Sequence, residues 1–433
     1  MIISSFDRKT FFTFVMIFFF PIRVHSTQVE WPSSFNPVGS GARAIGMGGA
    51  FIGVADDATA ASWNPGGLVQ MRKRQYSIVY SSFIRDERNH FPDAINSHKA
   101  YHVDHSNINH LSFTFPFEML NRNMTIAFTY QQLYTLDRNW FLKIPANQGQ
   151  LNINYLQEGS IDNIGFSYCI QVNPKISFGL TLNYWEDGLM NNDWLQDYTY
   201  IFDSTDFRNR YQLIKIEEYS FKGFNSNLGG LITLDSFSLG FVLKLPFRAS
   251  IHHSFYNETT QFVNDEIIFQ NSDLISTKQK LDMPISYGIG IVYKFSDDLY
   301  VSSDLYRTQW DDFCLITDGK KKNPISRRPI SDSIMKPTHQ LRMGLEYLIK
   351  KNKDYIIPFR TGIFYDPIPA EGYPDPAYGF SFGLGLTRNQ VISVDFAYQY
   401  RFANNVGESL FENMDFSQDI SEHFFYVSMT LYD

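Results

Sequence analysis

Along much of the chain every second residue is apolar. Ile176, Phe178, Leu180, Leu182 and Tyr184 alternate with Ser177, Gly179, Thr181 and Asn183. The same period of two runs through Phe237, Leu239, Phe241 and Leu243, through Ile285, Tyr287, Ile289 and Ile291, and through Phe380, Phe382, Leu384 and Leu386. It returns in Ile392, Val394, Phe396 and Tyr398 and again in Phe425, Val427, Met429 and Leu431. Successive side chains of a strand point to opposite faces, so this period predicts strands with one apolar and one polar face.

Two kinds of connection separate the strands. Short ones, at Asn121-Arg122-Asn123, Asn173-Pro174-Lys175, Asp235-Ser236, Ser296-Asp297-Asp298, residues 350–354 and Arg388-Asn389-Gln390, have hairpin chemistry. They alternate with long polar loops over residues 84–107, 134–160, 186–217, 248–281, 310–336, 366–377 and 402–420. Six short turns and seven long loops bound about fourteen strands, an even number suited to a closed antiparallel barrel.

Composition adds the solvent. Aromatic residues make up 17% of the 433 residues, yet beyond residue 27 no uninterrupted apolar stretch reaches the roughly 20 residues of a membrane helix. Strands with an apolar face and aromatic girdles meet lipid instead, so the expected fold class is all-β, a transmembrane antiparallel β-barrel. The N-terminus predicts export. Arg8 and Lys9 precede an apolar run over residues 11–20, too short to span a bilayer, and Val24-His25-Ser26 permits cleavage after Ser26. Removing residues 1–26 takes away Asp7, Arg8, Lys9 and Arg23, so the formal charge of -8 becomes -8 - 2 = -10. An acidic mature chain argues against a nucleic-acid partner.

Residues 36–68 read NPVGSGARAIGMGGAFIGVADDATAASWNPGGL, a run so rich in Gly and Ala that it cannot bury a core of its own and needs a cavity to sit in. Ser40, Gly41 and Arg43, the Ala55-Asp56-Asp57-Ala58 stretch and Asn64-Pro65-Gly66 resemble the hatch of FadL/TodX-type outer-membrane transporters of long-chain fatty acids and hydrophobic compounds. That family usually carries Ala after Asn-Pro, where this chain has Gly66. Residues 360–367 and Gly372-Tyr373-Pro374-Asp375 also resemble it. The resemblance implies three parts: a signal peptide over residues 1–26, a hatch over 27–74 in the lumen, and a barrel over 75–433. It also implies a Gram-negative outer membrane, with both termini periplasmic.

Candidate chemistry is sparse. The third long loop carries Trp194, Leu195, Tyr198 and neighbouring apolar residues, including Leu189, Met190 and Tyr200, which either capture an apolar ligand or pack the loop onto the barrel mouth. In the resembling family the third and fourth loops form the groove that first receives substrate. Strand parity puts Arg342 and Arg360 at mid-height in the lumen, with Lys244 higher and Lys294 close to a short turn. These basic groups either hold a carboxylate or form a ladder with Asp304, Glu346, Asp395 and the pair Asp56-Asp57. Gly288-x-Gly290 and Gly383-x-Gly385 lie within strands, where they make lumen space rather than a nucleotide loop. Cys169 and Cys314 form no disulfide framework. His90, His98, His102, His105, His110 and Asp104 crowd the first loop, but their spacing matches no closed set of metal ligands. No cofactor is expected, and no Ser, His and acid set supports an enzyme such as an esterase.

The expected function is passive uptake of a hydrophobic small molecule through a monomeric, plugged barrel surrounded by outer-membrane lipid. The alternative is a PorV-type barrel that docks exported proteins in a secretion system.

Overall fold

The computed structural model describes residues 39–90, 100–146, 149–188, 190, 192–205, 208–351, 354–408 and 415–433. The signal segment 1–26, hatch residues 27–38, His98 and Leu189 lie outside the described residues. In chain order the strands are β1 (Gln75–His90), β2 (Ala100–Met119), β3 (Arg122–Thr135), β4 (Arg138–Ala146), β5 (Gly149–Asn173), β6 (Ile176–Trp185) and β7 (Asp193–Ser204). They continue as β8 (Asn209–Thr233), β9 (Phe237–Lys244), β10 (Phe247–Val263), β11 (Glu266–Met283), β12 (Ser286–Lys294), β13 (Leu299–Thr308) and β14 (Cys314–Thr317). The last are β15 (Lys320–Lys322), β16 (Thr338–Lys350), β17 (Tyr355–Tyr365), β18 (Tyr378–Arg388), β19 (Ile392–Val406) and β20 (Ser417–Tyr432).

Fourteen of them close a ring of antiparallel neighbours, β1-β2-β3-β5-β6-β8-β9-β12-β13-β16-β17-β18-β19-β20, and β20 returns to β1. The strand count and the alternation of short and long connections match the sequence expectation. Hairpin turns at Leu120-Asn121 and Asn389-Gln390 place both central residues at positive φ, the twist that right-handed strands demand. The predicted parity holds as well. Phe380, Phe382, Leu384 and Leu386 are exposed on the outer face, while Ser381 between them is buried. Tyr287, Ile289, Ile291 and Tyr293 face outward in the same way, giving the barrel an apolar belt.

The long connections are more ordered than loops. The third, expected as a loop over residues 186–217, contains β7 and the upper part of β8, because Trp194, Gln196, Tyr198 and Tyr200 alternate inward just as the barrel strands do. Strands β4, β7, β10, β11, β14 and β15 join the upper ends of β5 and β8 in a second sheet that rises from the barrel wall. Aromatic stacking packs it: Trp194 lies 4.8 Å from Tyr219, Tyr219 lies 4.4 Å from His253, and Tyr155 lies 4.5 Å from Tyr198.

Residues 39–74 lie against the inner wall of the barrel. Gly48 and Gly49, both at positive φ, let this segment fold back on itself between two short helices, α1 (Ala42–Gly46) and α2 (Ala60–Trp63). Wall glycines accept its close approach. A Cβ on Gly240 would fall 2.1 Å from the carbonyl oxygen of Ile52, and one on Gly344 would fall 2.3 Å from that of Met47.

Candidate functional site

The inner wall meets segment 39–74 with side chains aimed at its backbone. Asp304 accepts hydrogen bonds from the amides of Phe51 (2.6 Å) and Ile52 (2.8 Å). Ser302 donates to the carbonyl of Ala50 at 2.7 Å, and Ser381 donates to Gly46 (3.0 Å) while accepting from the amide of Gly48 (2.8 Å). Across the lumen, Asn64 donates to the carbonyls of Ile52 (2.8 Å) and Gly230 (2.9 Å), and its Oδ1 accepts from the amide of Gly66. Pro65 opens the 3-10 helix Pro65–Gln70 that follows. Gly66 has no room for a methyl group: its Cβ would sit 2.7 Å from Cα of Gly230. The departure from the usual Ala thus has a local steric cause.

Charges on the wall form a ladder. Glu346 accepts from Arg43 Nε at 3.0 Å, from Tyr300 at 2.7 Å, and from Arg360. Arg360 also donates to Asp395 at 2.7 Å. Arg43 turns its other face to Asp56 at 2.6 Å and lies 3.7 Å from Asp57, which itself caps Thr59. One guanidinium therefore joins the segment's acidic pair to the wall. Arg342 stands apart from that group. It donates to the carbonyl of Gly48 at 3.0 Å and lies 3.5 Å from Asp366.

Beside Arg342 a cavity opens between wall and segment, lined by Gly39, Gly49, Ile52, Ser62, Trp63, Lys244, Asp304, Tyr306 and Arg342. Lys244 Nζ lies 5.6 Å from the Tyr306 ring centre. Two cations and two large rings thus converge on one lumen space. The sequence pointed to Lys244 and Arg342 through strand parity; Trp63 and Tyr306 escaped it, since nothing local marks which aromatic on a polar face borders a void.

Other candidates are dispersed. Trp194 is 2% exposed and Tyr198 8% exposed, both inside the raised sheet, while Leu195 points to its other, half-buried face. Cys169 lies buried in β5 beside the carbonyl of Gly66, and Cys314 lies in β14; both are free thiols. His90, His102 and His105 each meet a different carboxylate, Asp419, Asp86 and Asp137, and His110 is buried in β2. Among the described residues no three potential ligands gather as a metal site. Sequence reasoning missed a second buried charge chain, Arg138-Glu87-Arg85-Glu422-Arg401-Asp366, because β1 and β20 meet only when the ring closes. The inward parity of these residues was its available signal.

Solved structures share this architecture. A Pseudomonas aeruginosa FadL homologue superposes with TM-score 0.62 at 14% identity, covering 91% of this chain and 98% of that one. The P. putida toluene transporter TodX gives 0.58 at 12% identity, over 91% and 99% of the two chains. The monoaromatic hydrocarbon channel CymD gives 0.56 at 18% identity, over 92% and 99%. At such identities the likeness establishes the fold. No curated protein matches in sequence. The pattern of one family, described as outer membrane protein transport protein (OMPP1/FadL/TodX), matches residues 36–422. The chain is a member of that family of outer-membrane transporters of hydrophobic compounds.

Proposed function

We propose that the barrel takes up long-chain fatty acids or closely related amphipathic acids passively, with residues 27–74 as a hatch in the lumen. The observation that carries this reading is the convergence of Lys244 and Arg342 with Trp63 and Tyr306 around a gap of about 10 Å³, room for one water molecule, so ligand occupies it only as the hatch shifts and widens it. An apolar tail suits the rings and a carboxylate suits the cations. A tail of about fourteen methylenes is worth roughly 11 kcal/mol at ~0.8 per group, whereas a charge-assisted hydrogen bond nets about 1.5–3. The tail dominates affinity, and the cations set its direction.

Substrate enters past the raised sheet, which the buried Trp194 and Tyr198 hold in shape while the half-buried Leu195 lines its other face, and passes to the cavity. It continues when the contacts of Arg43 and Asp304 with the hatch loosen, toward a periplasm that holds both termini. Arg360, with a carboxylate on either side, holds the wall together rather than the ligand. One chain is a complete transport unit.

Binding of a long-chain acid and of its methyl ester to purified barrels tests this. Lys244→Met and Arg342→Met are expected to weaken the acid by about 1.5–3 kcal/mol and the ester little. Equal losses for acid and ester in both variants would reduce the two cations to structural parts. Trp194→Ser with Tyr198→Ser is expected to weaken acid and ester alike; unchanged binding there would remove the entry step and strengthen the protein-docking alternative.

A further inference from the structure

Among the described residues, strand β11 is paired along one side only for most of its length. It runs beside β10 over its whole length, but its other edge meets a partner, β14, only at Lys280, Leu281 and Asp282. Residues 266–276 are exposed on both faces, and they include Ile267, Ile268, Phe269, Leu274 and Ile275, with Leu274 73% exposed. An open edge offers unpaired amides and carbonyls to any other strand, and proteins normally guard it with proline, charge or cover. Residues 266–278 contain no proline and only Glu266, Asp273 and Lys278 as charges.

Those charges select the occupant. Set antiparallel to a copy of itself about a two-fold axis at Ser272, the strand brings Glu266 against Lys278 at both ends, Phe269 against Ile275, and Asn271 against Asp273. Moving the axis to Asp273 sets that carboxylate against itself and Lys278 against Ile268. Moving it to Asn271 sets Asp273 against Phe269 and leaves Glu266 facing Ser276. A parallel, in-register pairing opposes Glu266, Asp273 and Lys278 each to its own like charge. Directly opposed like charges destabilise a strand pair and opposite ones support it. Of these pairings only the antiparallel register at Ser272 sets Glu266 and Lys278 each against an opposite charge, with Asp273 facing the neutral amide of Asn271.

We propose that β11 is a self-association edge through which two copies pair tip to tip. The hairpin of β10 and β11 leaves the barrel at Phe247 and returns at Met283, with its turn at Asn264-Asp265. An antiparallel partner is therefore inverted, so the pair links barrels in two facing membranes rather than neighbours in one. The contact is isologous, each copy giving the same patch.

Vesicles carrying the protein test this by turbidity and by dynamic light scattering. Wild-type vesicles should tether one another and should not tether protein-free vesicles; tethering of bare vesicles would make a lipid surface the occupant and overturn the proposal. Glu266→Lys and Lys278→Glu should each weaken tethering about tenfold, since both ends of the contact then carry like charges. Mixing vesicles of the two variants should restore it, because every end again pairs Lys with Glu. No recovery in the mixture, or no tethering by the wild type, overturns the proposal. Ser272→Cys gives an independent reading: facing vesicles should form a disulfide-linked dimer, whereas Gln270→Cys should not. A heterologous protein captured in place of that dimer also overturns it.

Discussion

The lumen and the raised sheet bury aromatic and polar groups to similar depth by opposite means. In the lumen, segment 39–74 is held by single, directional contacts: Asp304 to two amides, Ser381 to one turn, Arg43 between Asp56 and Glu346. In the sheet, continuous strand ladders carry stacked rings, Trp194 on Tyr219 on His253. Directional contacts can be exchanged one at a time for a ligand's groups or for water, whereas a stacked sheet yields only as a unit. The difference separates a part suited to moving from a part suited to staying.

The largest effect should come from the wall itself. Arg360→Met leaves Asp395 without its cation and deprives Glu346 of one, at a cost of about 3–5 kcal/mol. Denaturant unfolding of the whole barrel would read it, and an unchanged midpoint would show that the ladder contributes nothing. Trp194→Ala should cost about 3 kcal/mol but locally. Limited proteolysis should speed up within residues 193–220 while the barrel keeps its folded mobility on cold gels; loss of that mobility would erase the distinction between the two regions. Gly66→Ala forces a methyl into the backbone of Gly230 and should cost about 1–3 kcal/mol. Its sign is visible as increased ion leakage across planar bilayers, with barrel stability little altered. Asp304→Asn keeps the shape and removes the charge, so it should cost only about 1 kcal/mol. A small rise in the frequency of open events, without a change in open conductance, is the expected record.

Much of this architecture was legible because a strand's period is local. The alternation from Ile176 to Tyr184 and the turn at Asn389-Gln390 need no distant information. Parity alone also put Arg342 and Arg360 inside and Leu384 outside. What stayed hidden depends on pairing across the sequence. Arg85 finds Glu422 only through the contact of β1 with β20, and the steric need for Gly66 is set by Gly230. The third long connection carries strand alternation from Trp194 to Tyr200, yet its clustered aromatics suit a loop patch equally well, and only the pairing of β7 with β5 and β8 decides between them.

The seam of the ring is made by the first and last strands, with Arg74 and Asp433 exchanging backbone hydrogen bonds at its lower end. Segment 39–74 precedes that seam directly and lies within the ring. Anchored at Arg74, beside the open lower end of the cylinder, it reaches the lumen either through that end or before the seam closes. That seam joins residues 75–90 to 417–432, the widest sequence separation of any strand pair in the ring, so its closure carries the largest loop-closure entropy of the fold.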